Sequence, residues 1–226
     1  MLEIPPPLQG AELERRLSEK IIHQSIAEGF LYEGASLMIS SQPSVGKSVL
    51  AIQAAYELAM GLPLFGGFIV TRPYRVWYIQ MEREETESLE RLQLMRGEKP
   101  PPIPPGLILD TQLQALNFLD PKHFELVLAR GKELKPALII IDPLYGIASG
   151  LSKDEVGSGV AKMFTVLKKT LNCALWFNHH TVKHTYEIIE GKKHQKDDPF
   201  YGAQWLKAHV TASYLAVQDE KGVTLY

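Results

Sequence analysis

Gly46-Lys47-Ser48 is the residue group in this chain with the clearest chemistry. It closes a run of small residues, Ser40-Ser41-Gln42-Pro43-Ser44-Val45. Before the run lies Leu37-Met38-Ile39, which reads as a buried strand; after it, Val49 to Met60 is rich in Ala and Leu and reads as a helix. A strand, a small-residue turn and the start of a helix aim backbone N–H groups at one point, where they bind an anion. Residues Ser41, Gln42, Pro43, Ser44, Val45, Gly46, Lys47, Ser48 and Val49 are therefore the expected phosphate cradle. Lys47 brings a mobile positive charge for β- and γ-phosphates, and the Ser48 hydroxyl is placed to ligate Mg²⁺. The expected ligands are thus ATP and Mg²⁺. The pattern G-x-x-x-x-G-K-[ST] is met with one departure, since Ser41 stands at the first Gly position and accepts more backbone restriction than glycine would.

Polar residues follow three further apolar strands. Asp142 ends Leu138-Ile139-Ile140-Ile141, where a carboxylate holds Mg²⁺ directly or through water, although an Asp before Pro143 could also simply cap a turn. Glu82 lies just beyond Arg75–Gln80 and is the candidate to orient or deprotonate an attacking water. Glu84 and Glu85 read instead as solvated residues of a helix first turn. His179 and His180 end a strand through Asn178, and a polar group there can report a γ-phosphate to the loop that follows. The histidines at 179, 180, 184 and 194 lack the cysteine partners and spacing of common zinc sites.

These residues need a scaffold that converges their strand ends. Apolar runs alternate with helical patterns: a strand at 75–80, a helix at 84–95 with Leu89 and Leu92 inward, and a rigid proline loop at 99–106. Then come a strand at 107–109, a helix from Asp120-Pro121 to about Leu134, and a strand at 137–141. A loop at 143–153, a helix at 154–170 with Val160, Met163, Phe164 and Leu167 inside, and a strand at 173–177 follow. Thr211–Val217 and Gly222–Tyr226 read as C-terminal strands around a turn. The expected fold is α/β, with a mostly parallel central sheet, helices on both faces and antiparallel strands at the C-terminus. Ligands of such sheets bind outside the carboxyl ends of the strands. Residues 1–30 read as an N-terminal arm and helix, with Pro5-Pro6-Pro7 extended and Ala11–Ala27 in helical spacing; that helix packs on its own domain or on a neighbouring subunit. Residues 31–226 read as one domain.

Net charge is −2, so no global basic field points to nucleic acid or anionic lipid. The lone Cys173 sits in an apolar run and excludes an intrachain disulfide framework, which suits a reducing, cytoplasmic setting. The first residues carry neither a basic flank nor a long apolar core, so no signal peptide is expected, and no apolar run reaches membrane-spanning length. The segment 181–207 is mildly basic, with Lys183, Lys192, Lys193, Lys196 and Lys207 against Glu187, Glu190, Asp197 and Asp198, and with His184 and His194 besides. It reads as a long polar loop, either solvated or functional, and Tyr186, Phe200, Tyr201 and Trp205 could stack on bases.

Taken together, S-Q-P-S-V-G-K-S, F-I-V-T-R-P-Y-R-V-W-Y-I-Q-M-E, L-I-I-I-D-P-L, S-K-D-E-V, W-F-N-H-H-T-V-K and G-A-Q-W-L-K-A-H-V resemble the RecA-like P-loop ATPases over roughly residues 34–218. The nearest branch is that of RepA-type hexameric replicative helicases, with DnaB-type helicases and KaiC-like proteins more distant. The resemblance implies phosphate and Mg²⁺ binding by Lys47 and Ser48, Glu82 as catalytic carboxylate, Asp142 as second metal-site acid and His180 as sensor. It also implies a hexameric ring or filament whose loops 145–159 and 181–201 touch single-stranded DNA, through Lys183, His184, Lys192, Lys193 and Lys196. ATP would lie between subunits, with Lys207 the candidate trans-acting basic finger, since Tyr201-Gly202-Ala203 lacks the arginine that related sequences carry.

Two other readings compete with a DNA-acting motor. One is a nucleotide-gated regulatory or loader ATPase that works through a protein partner, which the near-neutral charge and the missing arginine favour. The other is a small-molecule kinase, which needs several arginines in a lid; beyond Arg96 only Arg130 remains.

Overall fold

The computed structural model describes residues 7–18, 24–98, 100–151, 154–181, 186–189, 192–195, 209–219 and 222–226. A seven-stranded sheet forms its centre, built from β3 (Ser36–Ser41), β4 (Val76–Gln80), β5 (Leu107–Asp110), β6 (Leu138–Asp142), β7 (Ala174–His180), β10 (Ala212–Asp219) and β11 (Gly222–Leu225). The order is β11-β10-β3-β7-β6-β4-β5. All neighbours run parallel except β10 and β11, which form the antiparallel C-terminal pair. This is the α/β architecture the sequence implies.

The apolar strands are two-sided because both faces are covered. Leu37, Ile39, Val76, Tyr78, Leu138, Ile140, Ala174 and Trp176 share one core with Ala51, Ala54, Ala55 and Leu58 of α2 (Lys47–Met60) and Leu92 of α3 (Glu85–Arg96). The alternate residues Met38, Trp77, Ile79, Ile139, Ile141, Leu175 and Phe177 share the other core. There they meet Val127 of α4 (Pro121–Leu134) and Val160, Met163, Phe164 and Leu167 of α5 (Asp154–Leu171). The two-residue period of a strand thus divides each run between two helical layers. The start of α4 is fixed as expected: Asp120 accepts from the N–H groups of Lys122 (2.8 Å) and His123 (3.3 Å), with Pro121 in the first turn.

Several expectations are corrected. The N-terminal helix α1 covers Gly10–Ser18 rather than Ala11–Ala27, and none of its residues is buried. Ser25–Ala27 is a strand, β1, paired with β2 (Leu31–Tyr32). Ile26, Ala27 and Phe30 are core residues, so the globular unit begins before residue 31. Phe30 explains why: its ring stands 4.9 Å from Phe68, 5.1 Å from Tyr214, 5.8 Å from Trp176 and 5.9 Å from Phe65. Leu89 is exposed, because the inward stripe of α3 runs through Ser88 and Leu92. A single 3-10 turn, Leu144–Ile147, interrupts the expected loop after β6, and both end residues are buried. The strand β7 continues through Asn178, His179 and His180, and the expected loop at 181–201 contains β8 (Tyr186–Ile189) antiparallel to β9 (Lys192–Gln195).

The 3-10 turn presses on the loop after β4. A Cβ at Gly146 would fall inside the Cβ of Met81, which belongs to the backbone end of a buried residue and cannot swing away. Gly146→Ala should therefore destabilise the fold by about 1–3 kcal/mol, the usual cost of overpacking. Urea unfolding of the two proteins checks this; an unchanged midpoint would show that the contact yields freely.

Candidate functional site

The carboxyl ends of β3, β4, β6 and β7 converge because parallel register sets them level. Ser41 lies opposite His180 across β3 and β7, and Gln80 opposite Asp142 across β4 and β6. A cleft of about 410 Å³ opens there, lined by Pro43, Ser44, Gly46, Lys47, Ser48, Val49, Glu82, Arg83, Arg91 and His180. That size lies in the range of small-molecule sites.

The loop from β3 to α2 presents the cradle. Ser44 (φ 66) and Gly46 (φ 101) take left-handed backbone conformations, whereas Ser41 is the last residue of the strand. Among the described residues no side chain caps the N-terminus of α2, whose first N–H groups and dipole face the cleft. Ser48 and Val49 sit in that first turn.

Lys47 is buried, and its Nζ donates to Ser41 Oγ (2.7 Å), Ser41 O (3.1 Å) and Gln42 O (3.1 Å). His180 Nδ1 lies 3.3 Å from the same Nζ. Burial pushes the Lys47 pKa down to about 8, against the pull of Asp142 and Glu82. Burial and then Lys47 push the His180 pKa down as well. A neutral imidazole whose Nδ1 faces an ammonium must accept there, which leaves Nε2–H as a donor. His179 is neutral too, its pKa pushed down to about 4 chiefly by burial, and its buried Nδ1 has no partner among the described residues.

Asp142 is 1% exposed and held on both oxygens. Tyr78 OH donates to Oδ2 at 2.6 Å and Asn178 Nδ2 donates to Oδ1 at 2.9 Å. Each carboxylate oxygen keeps a lone pair. Mg²⁺ retains several waters and takes few protein ligands, so the Ser48 hydroxyl with Asp142 acting through water suits a nucleotide-bound Mg²⁺. The same burial argues against direct ligation by Asp142. Among the described residues no group of three or more His, Cys, Asp or Glu side chains could hold a metal by itself.

Glu82 lines the cleft on a clamped turn. Its N–H donates to Gln80 Oε1 at 2.9 Å, as the Arg83 N–H does at 3.2 Å, and Gln114 Nε2 donates to Arg83 O at 2.6 Å. Tyr145, in the 3-10 turn, stands near the Glu82 carboxylate. Burial and that carboxylate together raise the Tyr145 pKa. The Tyr145 ring also stands 5.4 Å from the His180 ring. A carboxylate that can take a proton from water, a neutral imidazole donor, an ammonium and an uncapped helix N-terminus thus face one cavity, an arrangement able to bind a polyphosphate and attack its end with water.

Of the expected site residues, Pro43, Ser44, Gly46, Lys47, Ser48, Val49, Glu82 and His180 line this cleft, whereas Asp142 does not and is bonded to Tyr78 and Asn178. Gln42 and Val45 line the opposite side of the loop with Thr181. Lys192 and Lys193 belong to β9, while Lys183, His184, Lys196 and Lys207 lie outside the described residues. Sequence reasoning missed Tyr78, Gln80 and Tyr145, and also Arg83 and Arg91, and it placed Asn178 at an informative strand end without its bond to Asp142. Polar residues inside apolar strands were the available signal for Tyr78, Gln80 and Asn178; no signal in the sequence marked Arg91, because the rotation of α3 is set by packing.

Comparison with known proteins gives a family match: residues 6–185 fit the family model described as AAA domain. No curated protein matches. Among solved structures, a KaiC-like protein from the hyperthermophilic archaeon Pyrococcus horikoshii OT3 is similar, at 15% identity and a TM-score of 0.49, over 89% of this chain and 80% of that one.

With a free-protein Lys47 pKa near 8, affinity for a nucleoside triphosphate should hold steady below that pH and fall above it, by up to about tenfold per unit, as the ammonium loses its proton. Calorimetric titrations between pH 6.5 and 9.5 check this. A flat profile to pH 9.5 would show a lysine that stays charged.

Proposed function

This chain belongs to the AAA domain family, and we propose that it binds ATP with Mg²⁺ in the cleft at the β3–α2 loop and hydrolyses it. The observation that carries the reading is the meeting of Lys47, Ser48, Glu82 and His180 at one cavity above the uncapped end of α2. In this account the helix N-terminus and Lys47 hold the phosphates. Glu82, on the turn held by Gln80 Oε1, draws a proton from the attacking water. His180 donates Nε2–H to the terminal phosphate and stands at the end of β7, from which the segment after residue 180 departs. The Ser48 hydroxyl and, through water, Asp142 would hold Mg²⁺, which supplies charge neutralisation at the phosphates when bound.

The wider role we propose is that of a RecA-like motor acting on single-stranded DNA as a ring or filament. The support is the resemblance of its motifs to RepA-type helicases and the direct continuation of β7 into the lysine-bearing segment 181–207. Lys183, His184, Lys192, Lys193 and Lys196 are the proposed DNA contacts, and Lys207 the proposed finger toward a neighbour's nucleotide. Net charge of −2 favours the second reading, a nucleotide-gated module that acts on a protein partner. Among the described residues no helix is long and apolar enough to cross a membrane.

Glu82→Gln should lower kcat by about 100-fold or more while leaving ATP affinity near that of the wild type, the loss expected of a general base. Steady-state ATPase rates with parallel binding measurements check this; an unchanged kcat removes Glu82 from the chemistry. Single-stranded DNA should raise the wild-type rate in a preparation shown by electron microscopy to be assembled. An unresponsive rate, with ATP-dependent capture of a purified protein partner, would select the second reading.

A further inference from the structure

We propose that the Ser41 hydroxyl is a positioning residue that holds Lys47 back from an incoming phosphate, a restraint built into the loop by the one departure from its glycine pattern. The inference rests on the nucleotide-binding reading of the cleft.

An ammonium has three protons to give. Around Lys47 Nζ the protein itself supplies four acceptors: Ser41 Oγ at 2.7 Å, Ser41 O at 3.1 Å, Gln42 O at 3.1 Å and His180 Nδ1 at 3.3 Å. The donor capacity of Lys47 is therefore filled before any nucleotide arrives, and a phosphate oxygen must displace an acceptor. The shortest of the four contacts is to Ser41 Oγ. Its own proton is committed to Gln42 O at 2.7 Å, so toward Lys47 the hydroxyl acts as acceptor alone. Both residues are buried, and water cannot readily replace the serine as partner.

The backbone gives no reason for glycine at this place. Ser41 is the last strand residue of β3, and the loop residues with positive φ are Ser44 and Gly46. Serine therefore adds a hydroxyl without strain, and that hydroxyl is what distinguishes this cleft from one with glycine at its base. The parallel register that sets Ser41 opposite His180 explains why both reach the same nitrogen. Removing the hydroxyl leaves the three protons of Lys47 to two backbone carbonyls and to His180, the most distant of the four acceptors, so a phosphate then has only that longest contact to displace.

The test compares wild type, Ser41→Ala and Ser41→Gly. Calorimetry with Mg²⁺ and ATPγS gives affinity, and steady-state ATP hydrolysis gives KM and kcat. Loss of one net hydrogen bond to the lysine should tighten ATPγS binding about three- to tenfold in both variants. KM should fall by a similar factor, with kcat changing less. Alanine keeps the backbone restriction of serine while removing its hydroxyl. A gain confined to glycine would therefore trace to backbone freedom and overturn the proposal. Equal or weaker binding by Ser41→Ala, beside measurable wild-type binding, overturns it alone. No binding by the wild-type protein overturns the reading of the cleft and this inference with it.

Discussion

A buried ammonium organises this protein. Lys47 is 5% exposed, and a charge so withdrawn from water persists only with hydrogen-bond partners around it. Those partners come from two strands, β3 through Ser41 and Gln42 beyond its end, and β7 through His180. Their meeting depends on the parallel pairing of β3 with β7, which in turn depends on the apolar layers that α2 and α5 lay over the sheet. Disturb the register by one residue and Ser41 and His180 no longer face the same nitrogen.

The second half of the site follows the same logic with a negative charge. Asp142 ends the most apolar strand and is held in that setting by hydrogen bonds from Tyr78 of β4 and Asn178 of β7. Gln80, two residues beyond Tyr78, uses its side-chain oxygen to hold the turn that carries Glu82. Tyr145, near the Glu82 carboxylate, sets its ring 5.4 Å from that of His180. The polar groups at the strand ends thus form a connected set, and the part able to act on a phosphate is the part that reaches the cleft.

The cradle, the three other informative strand ends and the covered parallel sheet were all legible from residue type and order, since strand, small-residue turn and helix follow one another without interruption around Lys47. Polar residues within strands were harder. Tyr78 and Asn178 look like ordinary members of V-W-Y-I-Q and A-L-W-F-N-H-H until the register places them beside Asp142. The helix expected to run to Ala27 illustrates the opposite problem: Ile26 fits helical spacing, yet its burial comes from a strand against the aromatic group around Phe30. Leu89 likewise fits the pattern of an inward face, but the rotation of α3 is set by Ser88 and Leu92. Local periodicity does not contain that rotation, because tertiary packing decides it.

Lys47 and the start of α2 are the proposed grip on a triphosphate. Isothermal calorimetry with Mg²⁺ and ATPγS, on wild type and Lys47→Ala at neutral pH, tests it most directly. The expected result is saturable single-site binding by the wild type, weakened by about 100-fold or more in the variant, as follows when a buried charge-assisted contact is lost. Equal binding by the two proteins, or no heat with either, would contradict it.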